Sequence, residues 1–100
     1  MPSYTLSKAA ERDLAGIAAY TVETFGIEQA LAYRDGLIGC FDFLAEHPKS
    51  ARLRAELNPP VRARRFQSHL IFYDEQPDGG VLILRVRHGR EDWLADTDGE

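Results

Sequence analysis

The sequence predicts an α+β domain, a helical hairpin packed on an antiparallel sheet, and three observations carry that prediction. The first half holds two consecutive runs with apolar residues at helical spacing. The second half holds apolar runs of strand length instead. Two of those runs flank Pro77-Asp78-Gly79-Gly80, a hairpin turn in which Pro pre-sets one residue and Gly tolerates positive φ. The predicted element order is β-α-α-β-β-β. At 100 residues the chain fits one domain spanning 1–100, with an acidic tail from about residue 94 that reads as frayed.

Each element follows from local chemistry. Tyr4-Thr5-Leu6 is a short strand candidate ahead of Ser7, a good N-cap residue. From Lys8, Ala10, Leu14, Ile17, Ala18, Thr21 and Phe25 recur on one helical face, and Gly26 suits the position just past a helix end. Ala30, Tyr33, Leu37, Phe41 and Leu44 repeat the pattern up to Pro48. The join is too short for anything but an antiparallel helix pair. Gly36 and Gly39 weaken the second helix by about 1 kcal/mol each, and either close packing or a weak surface turn accounts for them. Residues 48–60 form a polar connection in which 50–57 suits a helical turn. Val61–Phe66, His69–Glu75 and Val81–His88 follow as strands. In the last two, alternation sets Leu70 and Phe72 against His69, Ile71 and Tyr73, and it sets Leu82, Leu84, Val86 and His88 against Val81, Ile83, Arg85 and Arg87.

Composition narrows the function classes. The net charge is −4, yet residues 52–90 hold eight arginines against four acids, while the tail from Glu91 holds five acids and no base. A dedicated nucleic-acid binder is usually basic overall, so sequence-specific nucleic-acid binding is not expected. Arg62, Arg64, Arg65, Arg85, Arg87 and Arg90 run through the strand region and suggest an electropositive surface, for an acidic protein partner or a limited phosphate contact. The single cysteine, Cys40, and three separated histidines supply no metal cluster, and no cofactor is expected. No secretory leader or membrane span is visible, so a cytoplasmic location is expected.

Order and local motifs together resemble a known family. Leu6, Ala10, Asp13-Leu14, Ile17 and Tyr20, then Ala30, Leu37, Leu44 and Pro48, then Val61-Arg62, Ile71-Phe72-Tyr73 and the closing Ile83-Leu84-Arg85-Val86-Arg87-His88-Gly89-Arg90-Glu91-Asp92 are similar to ParE-type toxins of the RelE/ParE superfamily. The resemblance covers nearly the whole chain. It implies a type II toxin that inhibits DNA gyrase by binding, without being an enzyme. It also implies a ParD-like antitoxin as partner, in a hetero-oligomer.

The alternative within the superfamily is a RelE-like ribosome-dependent mRNA endonuclease. That chemistry needs a base for the 2′-OH, a cation for the developing phosphorane and an acid for the leaving oxygen. Arg65, Arg85 and His88 are the residues that would serve, with Glu46, His47 and Arg62 as further actors. The binding reading places the target contact on Arg62, Arg65, Arg85, Arg87 and Trp93, because arginine and tryptophan are frequent interface anchors. It places the antitoxin near Tyr20, Phe25 and Tyr33, on the helical hairpin, with the arginine-rich strand edges as the other position. His88 reads as a half-buried histidine bonded to a neighbour such as Asp92.

Overall fold

Ser7 begins the architecture. In the computed structural model, which describes residues 3–89, its hydroxyl accepts from Ala10 N at 2.9 Å and donates to Leu84 O at 2.8 Å. One side chain therefore starts the first helix and ties it to the last strand. Strand β1 (Tyr4–Leu6) precedes it, and helix α1 (Lys8–Phe25) follows. Gly26, at φ 95°, is the whole connection to α2 (Ile27–Glu46). Then come β2 (Leu53–Arg54), β3 (Val61–Phe66), β4 (His69–Glu75) and β5 (Val81–His88).

The sheet order is β1-β5-β4-β3-β2. Two features depart from expectation. Leu53–Arg54 is a short strand pairing with Val61 and Arg62, where a helical turn was predicted. The sheet is also mixed rather than antiparallel throughout, because β1 runs parallel to β5. Parallel pairing needs a crossover connection, and the two helices supply it.

A β-bulge changes which residues of β5 face the helices. The register steps from Phe72↔Arg85 to Tyr73↔Ile83, so Leu84 is extra. Simple alternation put Leu82, Leu84, Val86 and His88 on one face, and the bulge overturns that. Val81, Ile83 and Val86 join the helix-side core with Ile71, Tyr73, Leu37, Phe41 and Leu44. Leu84 packs on the opposite face with Leu57, Ala63, Leu70 and Phe72. His88 keeps company with Val86, not with Leu82 and Leu84. Burying each large side chain of the main core contributes about 1.5–3 kcal/mol.

The glycines of α2 differ in role. A Cβ at Gly36 would come 2.5 Å from Phe66 Cζ, whereas a Cβ at Gly39 meets nothing within 4 Å. Gly36 therefore permits close approach of helix and sheet, and Gly39 is the weak exposed turn. The 77–80 turn forms as predicted: Gln76 N donates to Gly80 O at 2.8 Å, Gly80 N to Asp78 Oδ1 at 3.1 Å, and Gly79 adopts φ 101°.

Candidate partner-binding groove

Strand β1 covers only Val81–Ile83 of β5, which leaves the rest of that edge to be satisfied by side chains. Ser7 takes the Leu84 carbonyl, and Asp13 of α1 accepts from Val86 N at 2.9 Å. The same Asp13 carboxylate accepts from Arg85 Nε at 2.8 Å and Nη2 at 3.0 Å. Asp13 is thus a carboxylate held by three donors at the join of α1 and β5. From the sequence Asp13 stands out only within the Asp13-Leu14 pair of the family resemblance, with no structural role assigned to it.

Beyond that join, α1 and the exposed tip of the helical hairpin diverge from the ends of β4 and β5. A groove of about 750 Å³ opens between them. One wall carries Tyr20 and Phe25, which are 64% and 65% exposed despite their size. The other carries Arg85, Arg87, His69 and His88. Tyr33 joins the walls: its hydroxyl shares a 2.6 Å hydrogen bond with His69 Nδ1, and its ring meets Phe66 edge-on at 5.3 Å. His69 and His88 are cross-strand partners with ring centroids 5.4 Å apart. Burial pushes the Tyr33 phenol above its ordinary 10.0, so it remains a neutral hydrogen-bonding group. The groove is therefore apolar and aromatic at the helix end, and cationic and imidazole-rich at the strand end.

The structure distributes the predicted site residues unequally. Tyr20, Phe25 and Tyr33 all line this one groove. The arginines do not form a single face. Arg62 lies on the helix side of β3, donating to Ala51 O at 2.7 Å and pairing with Glu75 at 3.2 Å. Arg65 lies on the opposite face, directly across from Leu70; Arg87 is also in register with Leu70 but lines the groove at the uncovered β5 edge. Arg85 sits at the β5 edge on Asp13. Alternation could not show this, because the bulge shifts β5 by one residue and α1 claims Arg85 from 72 positions away. Trp93, Arg90 and Asp92 lie outside the described residues, as does the acidic tail. Among the described residues no group of three metal-ligating side chains gathers, and no helix is long and apolar enough to cross a membrane.

The model of the ParE toxin of type II toxin-antitoxin systems, parDE, matches residues 4–93. The chain belongs to the ParE toxin family. Toxin ParE1 of Mycobacterium tuberculosis is 34% identical over 89 residues, covering 89% of this chain and 91% of that protein. Toxin ParE1 of Caulobacter vibrioides is 34% identical over 88 residues, covering 88% and 90%. Toxin ParE of Escherichia coli is 30% identical over 94 residues, covering 94% and 91%. A solved chain from the chromosomal ParDE TA system of P. aeruginosa superposes with a TM-score of 0.74 over 88% of this chain and 96% of its own, at 22% identity. That likeness is one of fold. Two helices on a five-stranded sheet are thus the ParE arrangement.

Proposed function

We propose that this ParE-family chain is the toxin of a type II toxin–antitoxin pair, that it inhibits DNA gyrase by binding, and that a ParD-like antitoxin neutralises it in the cytoplasm. The observation that carries the antitoxin part is the groove. Its exposed Tyr20 and Phe25 suit the apolar anchors of an amphipathic segment, and its Arg87 end suits acidic residues on the same segment. Such an occupant would cover apolar surface that a monomer otherwise leaves in water, and it would stabilise the toxin by mass action.

Action by binding is favoured over RNA cleavage by what the cationic groups do. Arg85, which a nuclease would use against developing phosphorane charge, has its fork occupied by the Asp13 carboxylate. Arg65 and His88 point from opposite faces of the sheet, since Arg65 shares the side of Leu70 and His88 that of Val86. Convergence on one scissile phosphate is geometrically unsupported.

The test is the process arrested on induction of the toxin in growing cells. Incorporation of labelled thymidine should stop first, with double-strand breaks, and co-expressed antitoxin should restore it. Rapid cleavage of ribosome-bound mRNA with continuing DNA synthesis would sink the proposal.

A further inference from the structure

One arginine that the sequence did not distinguish from its neighbours stands apart in the structure. The Arg64 guanidinium lies 5.0 Å over the centroid of the Phe43 ring. Phe43 stacks in turn on His47, with centroids 4.7 Å apart and planes 39° from parallel. The three form a layered stack between β3 and the C-terminal end of α2. Phe43 is 43% exposed, so the stack is open to solvent on one side.

The state of Arg64 differs from that of Arg62 and Arg85. Those two hold Glu75 and Asp13. Among the described residues no carboxylate lies within ion-pair distance of Arg64, and its buried Nε meets no protein acceptor. The buried Nε is out of reach of a partner, but the terminal Nη groups make no hydrogen bond to the described residues. A guanidinium held by an aromatic ring at a partly desolvated position attracts an incoming anion more strongly than a fully hydrated one. The ring also restricts the side chain before binding, which lowers the entropy cost of ordering it.

We propose that the Arg64–Phe43–His47 stack is a binding site for a carboxylate on the toxin's protein target, with Arg64 taking the carboxylate as a fork and Phe43 covering an adjacent apolar side chain. This rests on the reading of the chain as a toxin that acts by binding a protein. Two observations support the choice of occupant. Glu46, one turn beyond Phe43 on α2, is exposed, and the whole chain is acidic. A continuous phosphate backbone would meet that negative charge along its length, whereas a single carboxylate aimed at Arg64 avoids it. The stack is also separate from the groove. Tyr33 and Phe43 are ten residues apart on α2, about 15 Å along its axis, so target and antitoxin would occupy different surfaces.

The experiment compares wild type with R64M, which keeps the stem, and R64K, which keeps the charge but not the fork. Three quantities are read: killing on induction, melting temperature, and antitoxin affinity of the purified chain. The expected result is killing potency reduced about tenfold or more in R64M and less in R64K, with melting and antitoxin affinity unchanged, as for an interface anchor. Wild-type killing by folded R64M overturns the site, and so does a matching loss of antitoxin affinity. Should R64M not fold, R64K decides alone, full killing overturning the site and reduced killing by folded protein supporting it. Binding of a single-stranded RNA oligonucleotide that R64M abolishes would reassign the stack to phosphate and overturn the carboxylate assignment. Because killing is read whatever the target, a wild type that kills without inhibiting gyrase refutes the gyrase reading and still leaves the R64M comparison informative.

Discussion

Replacing Asp13 by alanine tests the tie between α1 and β5. Two losses accompany the change. Val86 N–H loses its acceptor at a partly buried strand edge, which costs about 1–3 kcal/mol. The ion pair with Arg85 is lost as well. Arg85 is 42% exposed against 14% for Asp13, so solvent screening limits that contribution to about 1 kcal/mol. Together D13A should cost about 2–4 kcal/mol, a large share of the roughly 5–15 kcal/mol that holds a small domain folded. D13N retains an oxygen for Val86 N–H and loses only the charge, so it should cost about 1 kcal/mol, close to R85M. Urea unfolding followed by circular dichroism would show the midpoint falling in the order D13A, then D13N with R85M, at constant slope. A D13A midpoint equal to wild type would refute this account of the edge. Normal stability with lost toxicity in R85M would return Arg85 to the target surface.

Other substitutions probe the packing and the groove. G36A drives a methyl against Phe66 and should destabilise by about 1–3 kcal/mol; G39A, in open space, should instead stabilise by up to about 1 kcal/mol, both read from melting. Burial raises the Tyr73 phenol above its ordinary 10.0, and its hydroxyl donates to Pro48 O at 2.7 Å. The stability this contributes is complete below pH about 10, the unfolded value, and is lost as pH rises through the higher folded value. Stability measured from pH 8 to 12 should fall more steeply in wild type than in Y73F. Tyr20→Asp with Phe25→Asp should weaken antitoxin binding about a hundredfold or more by titration calorimetry while leaving the melting temperature near wild type, because both side chains are exposed. Unchanged affinity would move the antitoxin elsewhere.

What could be read from the residues was local. Ser7, Gly26, Pro48 and the 77–80 turn act through their own backbone or the next few residues, and each marks a boundary where it was expected. The long-range features were illegible for a common reason. The bulge at Leu84 adds one residue and reverses every later side chain, but it leaves composition untouched. A two-residue strand such as Leu53–Arg54 has no period to detect. Asp13 became an edge cap only because β1 ends at Leu6 and leaves β5 uncovered. The arginines could be counted but not sorted. Whether one is paired depends on where Glu75, Asp13 or the end of α2 arrives in space, so Arg64 stood out only once Phe43 was placed beside it. Tyr20, Phe25 and Tyr33, one of the two antitoxin positions offered by the sequence, line the groove, while the Tyr33–His69–His88 chain was missed because it joins three separate elements.

Whether the chain inhibits gyrase by binding, as proposed, is decided by a supercoiling assay. Purified chain is titrated into gyrase with relaxed plasmid, alone and with its antitoxin. Loss of supercoiling or trapped cleaved DNA, reversed by stoichiometric antitoxin, is the expected result. Full supercoiling at large excess of folded, antitoxin-binding chain would contradict it.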